Sequence, residues 1–421
     1  MIHLIYNTGI WFYVVAIRVV SLFNEKAKLW LRGRKDVLSK IETWRKQNPG
    51  KLVWVHCASL GEFEQGRPVM EAIKRERPHV KIMLTFFSPS GYEVRKNYSG
   101  ADFICYLLAD TPANARRFVE IVQPAAALII KYEYWANYFF ECKRQQIPLY
   151  IISGILRPEQ RFFGLFSGFW KKVLKCVTHF FVQNVQTQSL LQQHGFSNVT
   201  FTGDTRFDRV SEIARTANEI HEIIQFKGNG FCVLGGSTWE EDEKILMMSS
   251  RNPDSHLDAK PRKVAKVILV PHELIETKLS TLSTQLPNSI RWSQRAGKDL
   301  RTYDVLIVDT IGLLSSIYRY ADMALIGGGF GKGIHNILEA AVWGVPVVFG
   351  PNYQKFDEAK QLVERGGAFA IRSSEEFNRL LERCMTDESF RTKAGEIAMG
   401  FVTESTGATE RVMRQLMGFF D

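Results

Sequence analysis

Short apolar runs alternate with helical stretches along most of the chain, and the alternation occurs in two series. From Lys51 the runs are "KLVWVHCA", "KIMLTFF", "FICYLL", "AAALII", "PLYIIS" and "HFFVQ". Between them lie helical patterns such as "PANARRFVEIV", where Pro112 follows Thr111, a good N-cap. A polar segment near 204–228 interrupts the pattern. It then resumes with "GFCVLGG", "KVAKVILV", "NSIRW", "YDVLIVD", "DMALIGG", "VPVVFG" and "GAFAI". Apolar strands alternating with helices predict parallel sheets covered on both faces. Two such series predict two Rossmann-like domains facing a cleft, with ligands at the carboxyl ends of the strands. Two helices, about 387–401 and 405–420, are expected to close the chain.

Composition adds direction to this picture. The 421 residues are 45% hydrophobic and 23% charged, ordinary for a folded protein of two domains and unlike a disordered or fibrous chain. The net charge of +10 is unevenly placed. Residues 1–205 hold 27 Lys and Arg against 15 Asp and Glu, whereas 206–421 hold 27 against 29. A basic first half suits an anionic partner: nucleic acid, a phospholipid surface or a phosphorylated substrate. The six cysteines are scattered without a CxxC pair, which indicates small core residues in a reducing compartment and neither a disulfide framework nor a zinc site.

The first residues, "MIHLIYNTGIWFYVVAIRVVSLFNEKAKLWLRGRKD", form an apolar stretch of about twenty residues broken by Asn7 and Arg18. No charged n-region or small-residue cleavage site marks a cleaved signal. The flank Lys26, Lys28, Arg32, Arg34 and Lys35 favours a cytoplasmic position for the rest of the chain. Membrane association is expected, by a spanning or an interfacial helix, over a soluble helix capping the first domain.

Candidate chemistry gathers at strand ends. "HCASLGEFEQGRP" (His56–Pro68) sets Glu62 and Glu64 just after Gly61, where a strand should open into a helix. "DMALIGGGFGKGIHNILEAAVWGVPVVFGP" (Asp322–Pro351) runs a strand into Gly327, Gly328 and Gly329, with Gly331 and Gly333 before a helix expected near His335 and Asn336. Glycines permit close backbone approach, and a helix N-terminus offers N–H groups to a phosphate. A tight strand–helix turn would explain the glycines but not "HNILEA". Glu339, one turn in, can accept hydrogen bonds from ribose hydroxyls. "LGGSTWEED" places Ser237 and Thr238 before Glu240 and Glu241, "ILVPHE" ends at Pro271 and His272, and "VDTIGLL" ends at Asp309 and Thr310 before Gly312. Four turns on one sheet edge resemble the lining of a nucleotide site. In the first half, "FFSPSGYEV" offers another helix entry for an anion, and "IIKYEYWANY" brings Lys131 and Glu133 to a strand end. "LRPEQRFFGLFSGFWKKVLK" mixes aromatics with Arg157, Arg161, Lys171, Lys172 and Lys175. A membrane surface or phosphorylated lipid fits that mixture better than nucleic acid, for which no motif is present. A helix with an apolar core face and a solvated basic face explains it equally well.

Together these residues resemble the 3-deoxy-D-manno-oct-2-ulosonic acid (Kdo) transferases of lipid A assembly, two-domain glycosyltransferases of the GT-B type. The likeness runs through nearly the whole chain in "LWLRGR", "HCASLGEFEQGRPVMEAI", "TFFSPSGYE", "YEYWAN", "TGDTRFD", "GGSTWEEDE", "VPHE", "VDTIGLL" and "IGGGFGKGIHNILEAAVWGVPVVFGP". The resemblance implies transfer of Kdo, with inversion, from CMP-Kdo to a lipid A precursor hydroxyl. Glu62 would be the general base, Glu64 its structural or solvated neighbour, and Lys131 and Arg206 would complete the catalytic set. The nucleotide would lie against Ser237, Thr238, Pro271, His272, Ile311, Gly312, Leu313, Asn336, Ile337, Leu338 and Glu339. No Asp-x-Asp signature stands near the site, and the resemblance implies no metal or other cofactor. The family commonly has an acid at the position of Lys131, Lys at Arg206 and Arg at His272, while Glu133 matches a second acid of its motif. Arg206 keeps a positive charge in a planar fork, and Lys131 reverses one.

The expected organisation is a membrane-associated segment over 1–35, an acceptor domain over 36–205, a linker over 206–228, a CMP-sugar domain over 229–386 and terminal helices over 387–421. The expected place is the cytoplasmic face of the bacterial inner membrane, with CMP-Kdo, the lipid acceptor and the membrane surface as partners and no nucleic acid. The alternatives are a GT-B sugar-nucleotide epimerase acting on a UDP-sugar, and a non-catalytic membrane-surface scaffold.

Overall fold

The computed structural model describes residues 2–164, 167–250, 265–286 and 288–419. Met1, Leu165 and Phe166 of the aromatic-basic stretch, the part 251–264 of the second expected domain (with Lys263 and Val264 of "KVAKVILV"), and Phe420 and Asp421 lie outside the described residues. The chain divides into two compact units, one of residues 1–209 with 406–421, the other of residues 210–405.

The first unit is built on seven parallel strands, β1 Leu52–Cys57, β2 Lys81–Phe86, β3 Phe103–Tyr106, β4 Ala126–Ile130, β5 Leu149–Gly154, β6 His179–Val182 and β7 Val199–Phe201. Their order is β3-β2-β1-β4-β5-β6-β7, so the sheet turns back on itself between β1 and β4. The apolar run "LVWVHC" is buried throughout because both faces are covered. Leu52 and Trp54 pack on one side with Phe118, Tyr138 and Phe180. Val53, Val55 and Cys57 pack on the other with Phe63, Ile73 and the C-terminal Val412, Met413 and Leu416. β7 escapes the sequence pattern because it is a three-residue edge strand whose burial fades to an exposed Phe201.

The second unit repeats the plan with β8 Cys232–Thr238, β9 Lys266–Pro271, β10 Ser289–Arg291, β11 Val305–Ile307, β12 Met323–Ile326, β13 Val347–Phe349 and β14 Ala368–Ala370. The order β10-β11-β9-β8-β12-β13-β14 puts its reversal between β8 and β12. Two parallel sheets flanked by helices are the GT-B arrangement of paired Rossmann-like domains. In such sheets the helices depart to opposite faces at the reversal, which opens a crevice at the carboxyl ends of the strands.

Three segments refine the sequence picture. Residues 206–228 are largely helical, in Thr205–Thr216 and His221–Lys227. The helix Glu388–Glu404 belongs to the second unit and Ala408–Leu416 to the first. Asp208 fixes that return by accepting from the N–H groups of Gly407 (2.5 Å) and Thr409 (2.6 Å) at the start of the last helix. At the other terminus, the helix Ile2–Val20 is long and apolar enough to cross a membrane, yet it lies against the first unit. His3 and Asn7 each hydrogen-bond Asn137 (2.9 Å), and Tyr6 donates to Asp110 (2.5 Å). Leu4, Ile5, Trp11, Phe12 and Phe23 remain exposed.

Candidate active site

The sequence-predicted catalytic residues stand where the first sheet reverses. Glu62 lies in the first turn of the helix Leu60–Glu76 that follows β1, as the acidic partner of a capping box with Ser59. Its carboxylate accepts from the backbone N–H groups of Ala58 and, at 3.2 Å, Ser59, and the residue is only 5% exposed. Burial first, and then the negative charge of Glu133, push the Glu62 pKa up to about 8, against those N–H groups and Lys131. Burial likewise lifts Glu133 to about 7, with Arg161 pulling the other way. A carboxyl that titrates near neutrality, held at a helix start, is suited to taking a proton.

Lys131 follows β4 in the left-handed region (φ 70°) and is near enough to act electrostatically on both Glu62 and Asp204. Asp204, which the sequence reading overlooked, is buried after β7. Arg206 grips it through its own N–H (2.9 Å), Nε (2.8 Å) and Nη2 (2.7 Å). Burial would raise the Asp204 pKa, but Arg206, with Lys131, holds it below the usual carboxylate range. Gln65, one turn after Glu62, donates to the same carboxylate at 3.2 and 3.3 Å. Thr205 then joins the Gln65 carbonyl (2.5 Å) to the Ser153 hydroxyl (3.0 Å) at the end of β5. Glu62, Lys131 and Arg206 therefore belong to one strand-end cluster with Glu133, Gln65, Ser153 and Asp204. Glu64 faces elsewhere, paired with Arg95 at 2.8 Å. His56 is fully buried against Thr85 and pushed down to about 3 by that burial, a neutral core residue.

The candidate nucleotide residues of the second unit share the carboxyl edge of four adjacent strands, β11, β9, β8 and β12. Ser237 and Thr238 end β8, Pro271 ends β9, and the His272 N–H bonds the Thr238 carbonyl at 2.9 Å. Asn336 donates to Glu339 (3.1 Å), whose other oxygen accepts from Ser315 (2.9 Å). Ile337 and Leu338 are buried beneath them. Ile311, Gly312 and Leu313 follow β11 in a loop that leaves Ile311 exposed and Gly312 at φ 98°. No hydrogen bond ties these three residues to the rest of the set among the described residues. The rings of Trp239 and His272 stack at 4.7 Å, and those of His272 and His335 at 4.3 Å.

Two expectations here need correction. The helix after the glycine run begins at Leu338 and not near His335, and it lasts four residues, because 335–337 remain irregular. The first glycines also serve the chain itself. A Cβ on Gly327 would collide with the Ser237 backbone. Gly328, at φ 89°, gives its N–H to the buried Asp242 at 2.9 Å, so that N–H is occupied before any phosphate arrives. Asp242 also takes the Trp239 N–H (2.9 Å), the capping role that its neighbours Glu240 and Glu241 only suggested. A cavity of about 560 Å³ opens beside this edge, but Glu240, Glu241, Glu243 and Glu273 outnumber Lys244 and Lys278 in its lining, a balance that suits an anion poorly. Among the described residues, no group of three or more His, Cys, Asp or Glu is arranged to hold a metal ion.

Residues 33–209 match the family model described as 3-deoxy-D-manno-octulosonic-acid transferase (kdotransferase). This match, together with curated relatives of the same name, supports assigning the chain to that family. It is an enzyme, a glycosyltransferase. The 3-deoxy-D-manno-octulosonic acid transferase of Aquifex aeolicus (strain VF5) is 26% identical over 328 residues, covering 77% of this chain and 83% of its own. That of Haemophilus influenzae is 24% identical over 391 residues, covering 89% and 88%. Among solved structures, the UDP-GlcNAc 2-epimerase of Neisseria meningitidis bound to UDP-GlcNAc superposes with a TM-score of 0.59 at 14% identity, covering 88% of this chain and all of its own. That likeness is one of fold.

Proposed function

We propose that the chain transfers Kdo from CMP-Kdo to a hydroxyl of a lipid A precursor, with inversion, at the cytoplasmic face of the bacterial inner membrane. Glu62 is the general base. The observation that carries this reading is its buried carboxyl, held by two backbone N–H groups beside Glu133 and raised to about 8. In the reaction the acceptor oxygen bonds to the anomeric carbon while that carbon's bond to the phosphate oxygen breaks. Glu62 takes the hydroxyl proton and CMP departs with the bonding electrons. Lys131 and Arg206 supply positive charge around the base and for anionic substrate groups, Arg206 being oriented by Asp204.

The donor nucleotide is assigned to Ser237, Thr238, Pro271, His272, Ile311 to Leu313 and Asn336 to Glu339. The Glu339 carboxylate, aimed by Asn336 and Ser315, accepts from ribose hydroxyls, and backbone N–H groups with imidazoles meet the phosphate. The N-terminal helix, with Leu4, Ile5, Trp11 and Phe12 exposed, carries the enzyme to the membrane that holds its acceptor.

The test is incubation with CMP-Kdo generated in situ and a tetraacylated, bisphosphorylated lipid A precursor, read by product mass. A product heavier by one or more Kdo units, lost in Glu62→Gln, supports the reading. Turnover of a UDP-sugar with no use of CMP-Kdo overturns it in favour of an epimerase. Unimpaired transfer by Glu62→Gln removes Glu62 as the base.

A further inference from the structure

His335 is absent from the set of residues assigned to the nucleotide, yet it stands in the middle of them. Its backbone N–H bonds the Gly327 carbonyl at 3.1 Å, which pins it to the turn after β12. Its ring stacks on His272 at 4.3 Å and 23°. The Trp239 ring stacks on the same His272 at 4.7 Å and 28°, while its indole Nε1 lies 3.1 Å from His335 Nε2. Being hydrogen-bonded to each other, Trp239 and His335 lie on the same side of His272.

That hydrogen bond has one possible direction. An indole N–H only donates, so His335 Nε2 must be the bare nitrogen, and a neutral imidazole then carries its proton on Nδ1. Among the described residues nothing in the protein accepts from that Nδ1–H. Trp239 is itself held from beneath, since buried Asp242 accepts its backbone N–H and that of Gly328, both at 2.9 Å. Asp242 thus ties together the two turns from which the rings project.

We infer that His335 is a further donor-site residue, locked by Trp239 as the Nδ1–H tautomer and giving that proton as a hydrogen bond to a phosphate oxygen of the nucleotide. Trp239 and Asp242 are its positioning residues. The inference rests on the assignment of CMP-Kdo to this edge. Burial, with the neighbouring His272, lowers the His335 pKa to about 4, so the ring is neutral at cytoplasmic pH and acts as a dipole. Glu273 lies beside His272 and Lys278 reaches within 6.0 Å of the Trp239 ring, so opposite charges flank the stack. A neutral donor suits a leaving phosphate. It holds the substrate and product phosphate alike, and less tightly than a cation would.

The test uses the full-length enzyme labelled with 15N-histidine, CMP as the probe, and His335→Asn to assign the signal. The expected result is an Nδ1–H tautomer for His335 at pH 7 and a shift of that Nδ1 signal when CMP binds. Trp239→Phe keeps a stacking ring but removes the indole N–H. It should mix the tautomers, weaken CMP by about three- to tenfold, and raise the donor KM with little change in kcat. His335→Asn, whose amide nitrogen falls near the Nδ1 position, should retain more affinity than His335→Gln. An Nε2–H tautomer, or CMP binding unchanged in both Trp239→Phe and His335→Gln, overturns the inference while leaving the donor site standing. Failure of the unmodified enzyme to bind CMP overturns both.

Discussion

Both sheets carry the same irregularity at their carboxyl edges and surround it with opposite kinds of chemistry. Ser153 on β5 and Ser237 on β8 sit in the left-handed region, at φ 52° and 53°. In each case the register with the neighbouring strand slips at that point. A serine there is held off the regular ladder and marks a place where the surroundings impose the backbone conformation. Around Ser153 the first sheet buries charge: Glu62 and Asp204, with Lys131, Glu133 and Arg206 at their side. Around Ser237 the second sheet offers backbone groups, hydroxyls and the Trp239–His272–His335 rings. Under the proposed reaction the first edge would take up the acceptor proton and the second would meet the phosphate without a fixed cation, two parts of one displacement.

The comparison breaks most visibly at Glu62. Glu62→Gln should lower kcat by about 10²- to 10⁴-fold while leaving CMP affinity unchanged, as initial rates and calorimetry would read. A loss of CMP binding would show that the two edges are not separable. In the unaltered enzyme, kcat/KM should rise with pH as Glu62 loses its proton, with a midpoint near 8. The same shift has a stability sign. A carboxyl whose pKa is raised by folding favours the fold while protonated, so its contribution is lost as pH climbs from the unfolded value toward 8. Glu62→Gln should therefore gain stability relative to the unaltered enzyme between about pH 5 and 8, measured by urea unfolding across that range.

On the other edge, Asp242→Ala orphans the N–H groups of Trp239 and Gly328 and should cost about 1–3 kcal/mol in urea unfolding, and loosen CMP binding with it. The smallest effects sharpen the first edge. Glu133→Gln removes a negative neighbour and should move the pH midpoint down, whereas Lys131→Met removes a positive one and should move it up. Shifts in the same direction would refute the electrostatic account of Glu62.

The alternation of apolar runs was sufficient for both sheets, because strands buried on two faces leave a continuous signature that a single chain displays. It was insufficient for β7, a short edge strand. Glu62, Lys131 and Arg206 entered as candidates through family resemblance, and their common strand-end placement followed from the fold class. Asp204, Gln65 and Asp242 were not. Each acts by a hydrogen bond to a residue distant in sequence or to a backbone N–H, and neither leaves a local pattern. The glycine run was legible only as a place of close backbone approach. Glycine signals that a backbone approaches something closely, but Gly327 approaches Ser237 of its own chain.

The docking of the N-terminal helix bears on how this enzyme should be handled. Tyr6 donates to Asp110, a buried acid that burial raises to about 6, and accepts from the Ala136 N–H at 3.3 Å. Asp110 in turn accepts from the Asn137 and Tyr138 N–H groups at the head of the next helix (both 3.1 Å), just past Lys131 and Glu133. Trimming the first two dozen residues to gain solubility would strip a hydroxyl from that acid and uncover the end of the loop that carries both side chains. The oily segment is thus also a brace, and detergent that draws it away from the protein would slacken the same joint.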